Sequence, residues 1–268
     1  MNLIRAELLK LRTTALWWIF AILLVPIYGV ALAYNWLTAN VMLSSDYADV
    51  DTGMIGEADR AVSGLYTSGQ FFGILLVVLL SAILVTNEFF HLTATSTFLT
   101  TPRRELVILA KMAVSVVIAL TVWLVTTVLS LGFAPFALST MNQPSHIGES
   151  FVWQAIGLNA LAFVLWGLLG VGTGVLIRSQ IGATLTLSVL YVVGAQVLSG
   201  IFVLLGTMWN ESVLTFRVVV PTLASDLMVS GQQFPDDPPR WVGALIMLAY
   251  AAVFSVVGTL ITKERDVG

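Results

Sequence analysis

Lysines at positions 10, 111 and 263 follow Leu9, Ala110 and Thr262. A nucleotide-binding P-loop needs a Gly-Lys pair followed by Ser or Thr to wrap the phosphates. No such motif occurs, so the chain does not hydrolyse ATP by that route. Both histidines, His91 and His146, fall in polar connections rather than apolar stretches. An intramembrane serine protease needs a base beside its serine, and neither G-x-S-x-G nor H-E-x-x-H occurs. The sequence contains no cysteine, which excludes disulfides, thiolate catalysis and cysteine-ligated zinc. Asp49-x-Asp51-x-Gly53 has part of a calcium-loop pattern but lacks its flanking ligands, so it reads as a solvated acidic loop. These residues point away from an enzyme, and neither a metal nor a cofactor is expected in the chain itself.

Two constellations remain. Thr184, Ser188, Tyr191 and Ser199 recur at helical spacing, with Gln196 beside them. Such a face either lines a substrate path or glues neighbouring helices together. The second constellation is the connection Asn87 to Lys111. Glu88 to Leu99 reads as a short helix anchored by Phe89, Phe90, Leu92, Phe98 and Leu99. Thr101 can cap the next helix, with Pro102 at its first position and Arg103 and Arg104 following at the interface. Exposed aromatics on such a helix form a docking knob for another protein; the alternative is a helix embedded in lipid headgroups.

The elements that carry these residues follow from the distribution of apolar residues. Of 268 residues, 58% are apolar and 10% charged, and mean hydropathy is +0.94. Soluble domains carry about 25% charged residues. Crossing a ~30 Å hydrocarbon core takes about 20 apolar residues in a helix. Six segments qualify: 16–36, 70–86, 107–131, 155–177, 181–204 and 241–261. Lys111 near the start of the third can snorkel to the interface. Arg178-Ser179-Gln180 reads as a tight surface turn between the fourth and fifth. Gly170-x-x-x-Gly174 in the fourth fits close helix approach. Trp17, Trp18, Trp36, Trp153, Trp209 and Trp241 mark span ends, whereas Trp123 and Trp166 are mid-span packing residues.

Basic residues set the orientation. Arg5, Lys10, Arg12, Arg103, Arg104, Lys111, Arg178, Lys263 and Arg265 fall on one side, against Arg60, Arg217 and Arg240 on the other. The positive-inside bias places both termini in the cytoplasm of a cell-membrane protein. Ala31-Leu32-Ala33 resembles a signal cleavage site, but the apolar run from Leu16 exceeds a signal's usual 7–15 residues, so a retained first span is expected. Met1, Ile4, Leu8 and Leu11 form a stripe flanked by Arg5 and Arg12, which suits an interfacial helix over 1–14. Ser212 to Gly231 is apolar but broken by Arg217, Pro221 and Asp226, so within the outer segment 205–240 it is expected to be re-entrant or surface-lying. The whole reads as a single transmembrane domain. Its fold class is an all-α integral membrane protein with six transmembrane helices, an N-terminal interfacial helix, and a re-entrant outer segment before the last helix. The net charge of −3 argues against nucleic-acid binding.

Three stretches resemble the ABC-2-type transporter permeases, the membrane subunits of ATP-binding-cassette exporters. Ala6-Glu7-Leu8-Leu9-Lys10-Leu11-Arg12 is similar to the family's opening A-E-x-x-K-x-R. Glu88-Phe89 through Thr93, then Thr97-Phe98-Leu99-Thr100-Thr101-Pro102-Arg103-Arg104 and Ala110-Lys111, is similar to E-[FY]-R-x-G-T, T-L-L-x-[ST]-P-R-R and A-K. Pro221-Thr222-Leu223-Ala224 is similar to the outer segment between the last two spans. Phe90 and Leu92 depart from the family's arginine and glycine. The resemblance implies a cytoplasmic coupling helix over 87–104, with Glu88, Phe89, Phe90, His91, Thr93, Arg103 and Arg104 meeting the ATPase. It implies two ATPase subunits that bind ATP and magnesium, and a second permease, identical or homologous. Substrate would pass between the permeases beside the first, second and fifth spans. The expected function is export of a hydrophobic small molecule, lipid or peptide antibiotic. The alternatives are a non-transporting immunity or assembly factor, and a stand-alone secondary carrier.

Overall fold

The computed structural model describes residues 2–43, 57–93, 103–231 and 237–264, and every regular element among them is helical. In chain order these are α1 (Asn2–Thr13), α2 (Leu16–Met42), α3 (Glu57–Tyr66), α4 (Gln70–Phe90), α5 (Arg104–Thr140), α6 (Ser150–Ile177) and α7 (Gln180–Met208). A 3-10 helix (Glu211–Val219), α8 (Pro221–Ser230) and α9 (Arg240–Glu264) follow. Six of them, α2, α4, α5, α6, α7 and α9, are long and apolar enough to cross a membrane. The 3-10 helix and α8 form a pair bent by 99°, which would make a seventh crossing if it were one span.

Each of the six apolar segments became one helix, but the helices outrun the apolar runs. α2 continues to Met42 and α5 to Thr140. Hydropathy marks where polar residues begin, whereas a helix ends where its backbone hydrogen bonds stop. At ~1.5 Å per residue, α5 is roughly 55 Å long, well beyond a hydrocarbon core.

The bundle is organised around α6, which packs on α4, α5, α8 and α9. In the apolar windows of α4 and α6, 67% of residues are buried, against 11% in α2 and 17% in α7 and α9. Thus α4 and α6 form the interior, and the other helices form its wall. Their close approach has a local cause. A Cβ on Gly170 would sit 2.4 Å from the Val78 carbonyl, and one on Gly174 would sit 2.8 Å from the Ala82 carbonyl. Backbone thus meets backbone along that seam, as the Gly170-x-x-x-Gly174 spacing led one to expect. On the other side of α6, Gly172 meets Phe254 of α9 in the same way.

Polar groups fasten the wall to this interior. Ser81 of α4 and Ser115 of α5 share a buried hydrogen bond of 2.7 Å, as do Tyr28 of α2 and Ser130 of α5. The turn between α6 and α7 is as tight as anticipated. Arg178 takes a left-handed conformation (φ 52°), and the Ser179 hydroxyl caps α7 by accepting from the Gly182 N–H. The end-of-span tryptophans Trp17, Trp18, Trp36, Trp153, Trp209 and Trp241 are all exposed, while Trp166 is buried. Trp123 donates to the Ile156 carbonyl within the bundle.

Two substitutions in α6 test the seam. Gly170→Ala drives a methyl into a carbonyl and should destabilise by roughly 1–3 kcal/mol. Gly157→Ala meets nothing within 4 Å and should be neutral or stabilise by up to about 1 kcal/mol. Thermal unfolding of the two variants in detergent should separate them in that order.

Candidate functional site

The sequence places a glutamate and a lysine, Glu88 and Lys111, at the ends of apolar helices, and the structure brings them together with two charges from α1. Lys111 Nζ donates to Glu7 Oε2 at 2.7 Å and to the Leu84 carbonyl at 3.0 Å, and lies 3.2 Å from Glu88 Oε1. Lys10 Nζ donates to Glu7 Oε1 at 2.6 Å and to Glu88 Oε1 at 2.7 Å. Two cations and two carboxylates therefore form a closed, charge-balanced quartet joining α1, α4 and α5. Glu7 and Lys111 are 2% and 3% exposed, so the pair is removed from solvent and each charge depends on the others. The expected snorkelling of Lys111 is corrected here: its stem turns inward, because three acceptors inside satisfy all three ammonium protons.

The same geometry revises the reading of the N-terminal stripe. α1 folds as a helix, but Leu8 and Leu11 pack on Leu80, Leu84, Val114 and Ile118 of α4 and α5. Glu7 lies on the same inward side, and Arg5, Leu9 and Arg12 are exposed on the other. Leu8 and Leu11 of the stripe therefore face the protein, whereas Ile4 is exposed and Arg5 and Arg12 point outward. Burial pushes the Glu7 carboxyl up, but the Lys111 charge and the hydrogen bonds from Lys10 and Lys111 outweigh this and hold it below its usual range. Burial likewise lowers the Lys10 ammonium, and its hydrogen bonds to Glu7 and Glu88 raise it overall.

Glu88 does not begin a new helix. α4 runs unbroken through Phe90, so the expected helix beginning at Glu88 is replaced by the last turn of α4 itself, continuous because nothing in Asn87-Glu88-Phe89 breaks its backbone ladder. Its side chains divide sharply. Phe89 packs among Val85, Ile108, Val171 and Val175, and the Arg178 guanidinium lies 5.4 Å from its ring centroid. Phe90 is 61% exposed and Leu92 87% exposed, the latter at φ 56°. His91 and Thr93 are exposed, and the Thr93 N–H closes the turn on the Glu88 carbonyl at 2.9 Å. Arg103 is exposed just before α5, and Arg104 opens that helix. Residues 94–102, with the Phe98, Leu99, Thr101 and Pro102 readings, lie outside the described residues, as does the acidic stretch 44–56.

The second constellation is unevenly buried. Tyr191 is buried, donates to the Phe71 carbonyl at 2.8 Å and packs edge-on against Trp166. Thr184 donates back to the Gln180 carbonyl; Ser188 and Ser199 are half-buried, and Gln196 is exposed. Tyr191 is therefore a packing residue. At the opposite end of the bundle a further polar group forms, in which Arg217 pairs with Asp237 at 2.7 Å and Arg60 with Asp226 at 2.8 Å. Arg240 donates to Gln154.

The chain matches no family model and no curated protein. Its site is therefore defined by geometry: a locked ionic junction beside an exposed tip, Phe90 to Leu92. Sequence reasoning named Glu88 but missed Glu7, Lys10 and Lys111 as its partners. The available signal was charge balance: two acids and two bases at the same ends of apolar segments.

Removing one member strands the rest. Lys111→Met should destabilise the fold by about 3–5 kcal/mol, read as a lowered thermal midpoint. Adding Glu7→Gln to that variant should cost less than the sum of the single effects. The lowered Glu7 value means its contribution is present above the ordinary glutamate range and is lost as pH falls below roughly 4. The raised Lys10 value means its contribution is lost only above about pH 10. Between these limits the midpoint should not respond to Glu7 or Lys10.

Proposed function

We propose that the chain is a multi-pass permease of the ABC-2 type, carrying a hydrophobic small molecule, lipid or peptide antibiotic out of the cytoplasm or inner leaflet. A separate P-loop ATPase, in two copies, binds ATP and magnesium and supplies the work, and a second permease completes the transporter. The observation that carries this reading is the end of α4. Its buried side, Glu88 and Phe89, is welded to α1, α5 and the α6–α7 turn, while Phe90, His91, Leu92 and Thr93 project outward. A tip that is apolar, exposed and rigidly rooted suits a lever worked by another protein.

The finer architecture belongs to the same reading. The connection after α4, through Arg103 and Arg104, is the coupling segment on the cytoplasmic side, where basic residues outnumber those at the other end. α1 lies in that interface with Arg5 and Arg12 toward anionic headgroups. The bent pair of 3-10 helix and α8 is the re-entrant outer segment. It dips into the membrane only because its charges are paired inside the protein, Arg217 with Asp237 and Asp226 with Arg60.

Purification in mild detergent should retain a P-loop ATPase. Replacing Phe90 and Leu92 together by alanine should weaken that retention roughly thirtyfold or more, the cost of about 2 kcal/mol for a hot-spot side chain, without lowering thermal stability. ATP-dependent export and ATPase retention both unchanged in that variant would remove the assignment.

A further inference from the structure

α7 is not one regular helix. Between Gln180–Val189 and Ala195–Met208 the chain makes a single wide π turn, Leu190–Gly194. Such turns carry one extra residue within an α-helix and are frequent at functional sites. Its effect on phase is visible in the burial pattern. Ala183, Leu187, Tyr191 and Ala195 are all buried, four residues apart. In an unbroken α-helix each step of four drifts by ~40°, so the last would point about 120° away. The wide turn absorbs the surplus residue and rotates everything beyond it.

The two halves are held very differently. Ala183, Leu187 and Tyr191 belong to the main apolar core. Tyr191 is fixed three times over, by its hydrogen bond to the Phe71 carbonyl and by ring contacts to Phe71 and Trp166 at 5.1 and 4.9 Å. At the start of this half, Arg178 is fastened over Phe89. Beyond the turn, Ala195 and Gly206 are the buried residues of the outer half, and Gly206 rests on Leu214 of the 3-10 helix. Val197, Leu198, Ile201, Val203, Leu204 and Met208 are exposed, as Ile181, Leu185, Val189 and Leu190 are in the inner half, so the halves differ in what anchors them, the main core for one and the 3-10 helix for the other. Gly194 closes the wide turn and Gly200 has open space around it; glycine lowers the stiffness of a helix at both points.

We propose that the π turn at Leu190–Gly194 is a hinge on which the outer half of α7 swings against an anchored inner half, opening and closing the flank of the bundle beside the 3-10 helix to an apolar substrate. Tyr191 is the fixed pin of the hinge, and the Gly206–Leu214 contact is the closed position. The device belongs to the bare chain and does not depend on an ATPase.

The cysteine-free sequence allows paired spin labels. One pair reports the inner half, Leu185→Cys with Leu109→Cys on α5; the other reports the outer half, Leu204→Cys with Phe136→Cys on α5. All four sites are exposed helix positions, so the labels' own spread is matched. Labelled chain is reconstituted in nanodiscs with excess unlabelled chain, and distances are read by pulsed electron resonance. The inner pair should give one narrow distribution, and the outer pair should show a second, shifted component. Gly194→Ala places its methyl no closer than 3.5 Å to any neighbour, so the variant folds and stiffens the turn. The outer pair should then lose its second component, while the inner pair is unchanged. An outer pair as narrow as the inner one in the unmodified chain, or a second component that survives Gly194→Ala, overturns the hinge.

Discussion

Two carboxylates and two ammonium groups at the edge of an apolar bundle can be tolerated only together. Isolated, Glu7, Glu88 or Lys111 would be a charge with neither water nor partner, at a cost of several kcal/mol, whereas Lys10 reaches them from the solvent side. Glu7, Lys10, Glu88 and Lys111 meet this constraint by closing on one another, with Lys111 spending its remaining proton on the Leu84 carbonyl. The consequence is topological. α1 cannot leave without taking Glu7 from Lys111 and Lys10 from Glu88, so an N-terminal segment that could have been a peripheral attachment is an integral part of the bundle. The quartet is neutral, which also removes any need for a counter-ion or ligand there.

Much of the remaining architecture positions this junction. α4 is one of the two central helices, and the glycines of α6 let its backbone run directly against the Val78 and Ala82 carbonyls. The end of α4 is therefore rigid, and it distributes contact to α1 and α5 through charge and to the α6–α7 turn through Phe89 and Arg178. Burial declines away from this axis, from 67% of the apolar windows of α4 and α6 to 11% in α2 and 17% in α7 and α9.

The membrane-like architecture was legible because hydrocarbon imposes it on composition: every span, the tight Arg178 turn, the exposed end-of-span tryptophans and the glycine seam follow from rules that act locally. Helix ends were not, since α5 reaches Thr140 through residues whose polarity hides a continuing backbone ladder. The site was half legible. The exposed tip, Phe90 and Leu92, could be named from apolar residues in a polar connection. The quartet could not, because snorkelling and pairing look alike for a single lysine, and the partners of Lys111 lie 104 residues away in Glu7 and 27 away at Leu84. The wide turn in α7 was invisible for another reason. A π turn is a property of the backbone path, and nothing in Leu-Tyr-Val-Val-Gly announces it.

Amide hydrogen exchange across α1 reads the central interaction directly. If the quartet fastens this helix to the bundle, its amides from Leu8 to Arg12 should be protected to the same degree as the last turns of α4, and Glu7→Gln should abolish that protection while leaving α6 unchanged. Rapid exchange of α1 in the unmodified protein, or protection indifferent to Glu7→Gln, would contradict the clamp on which everything else rests.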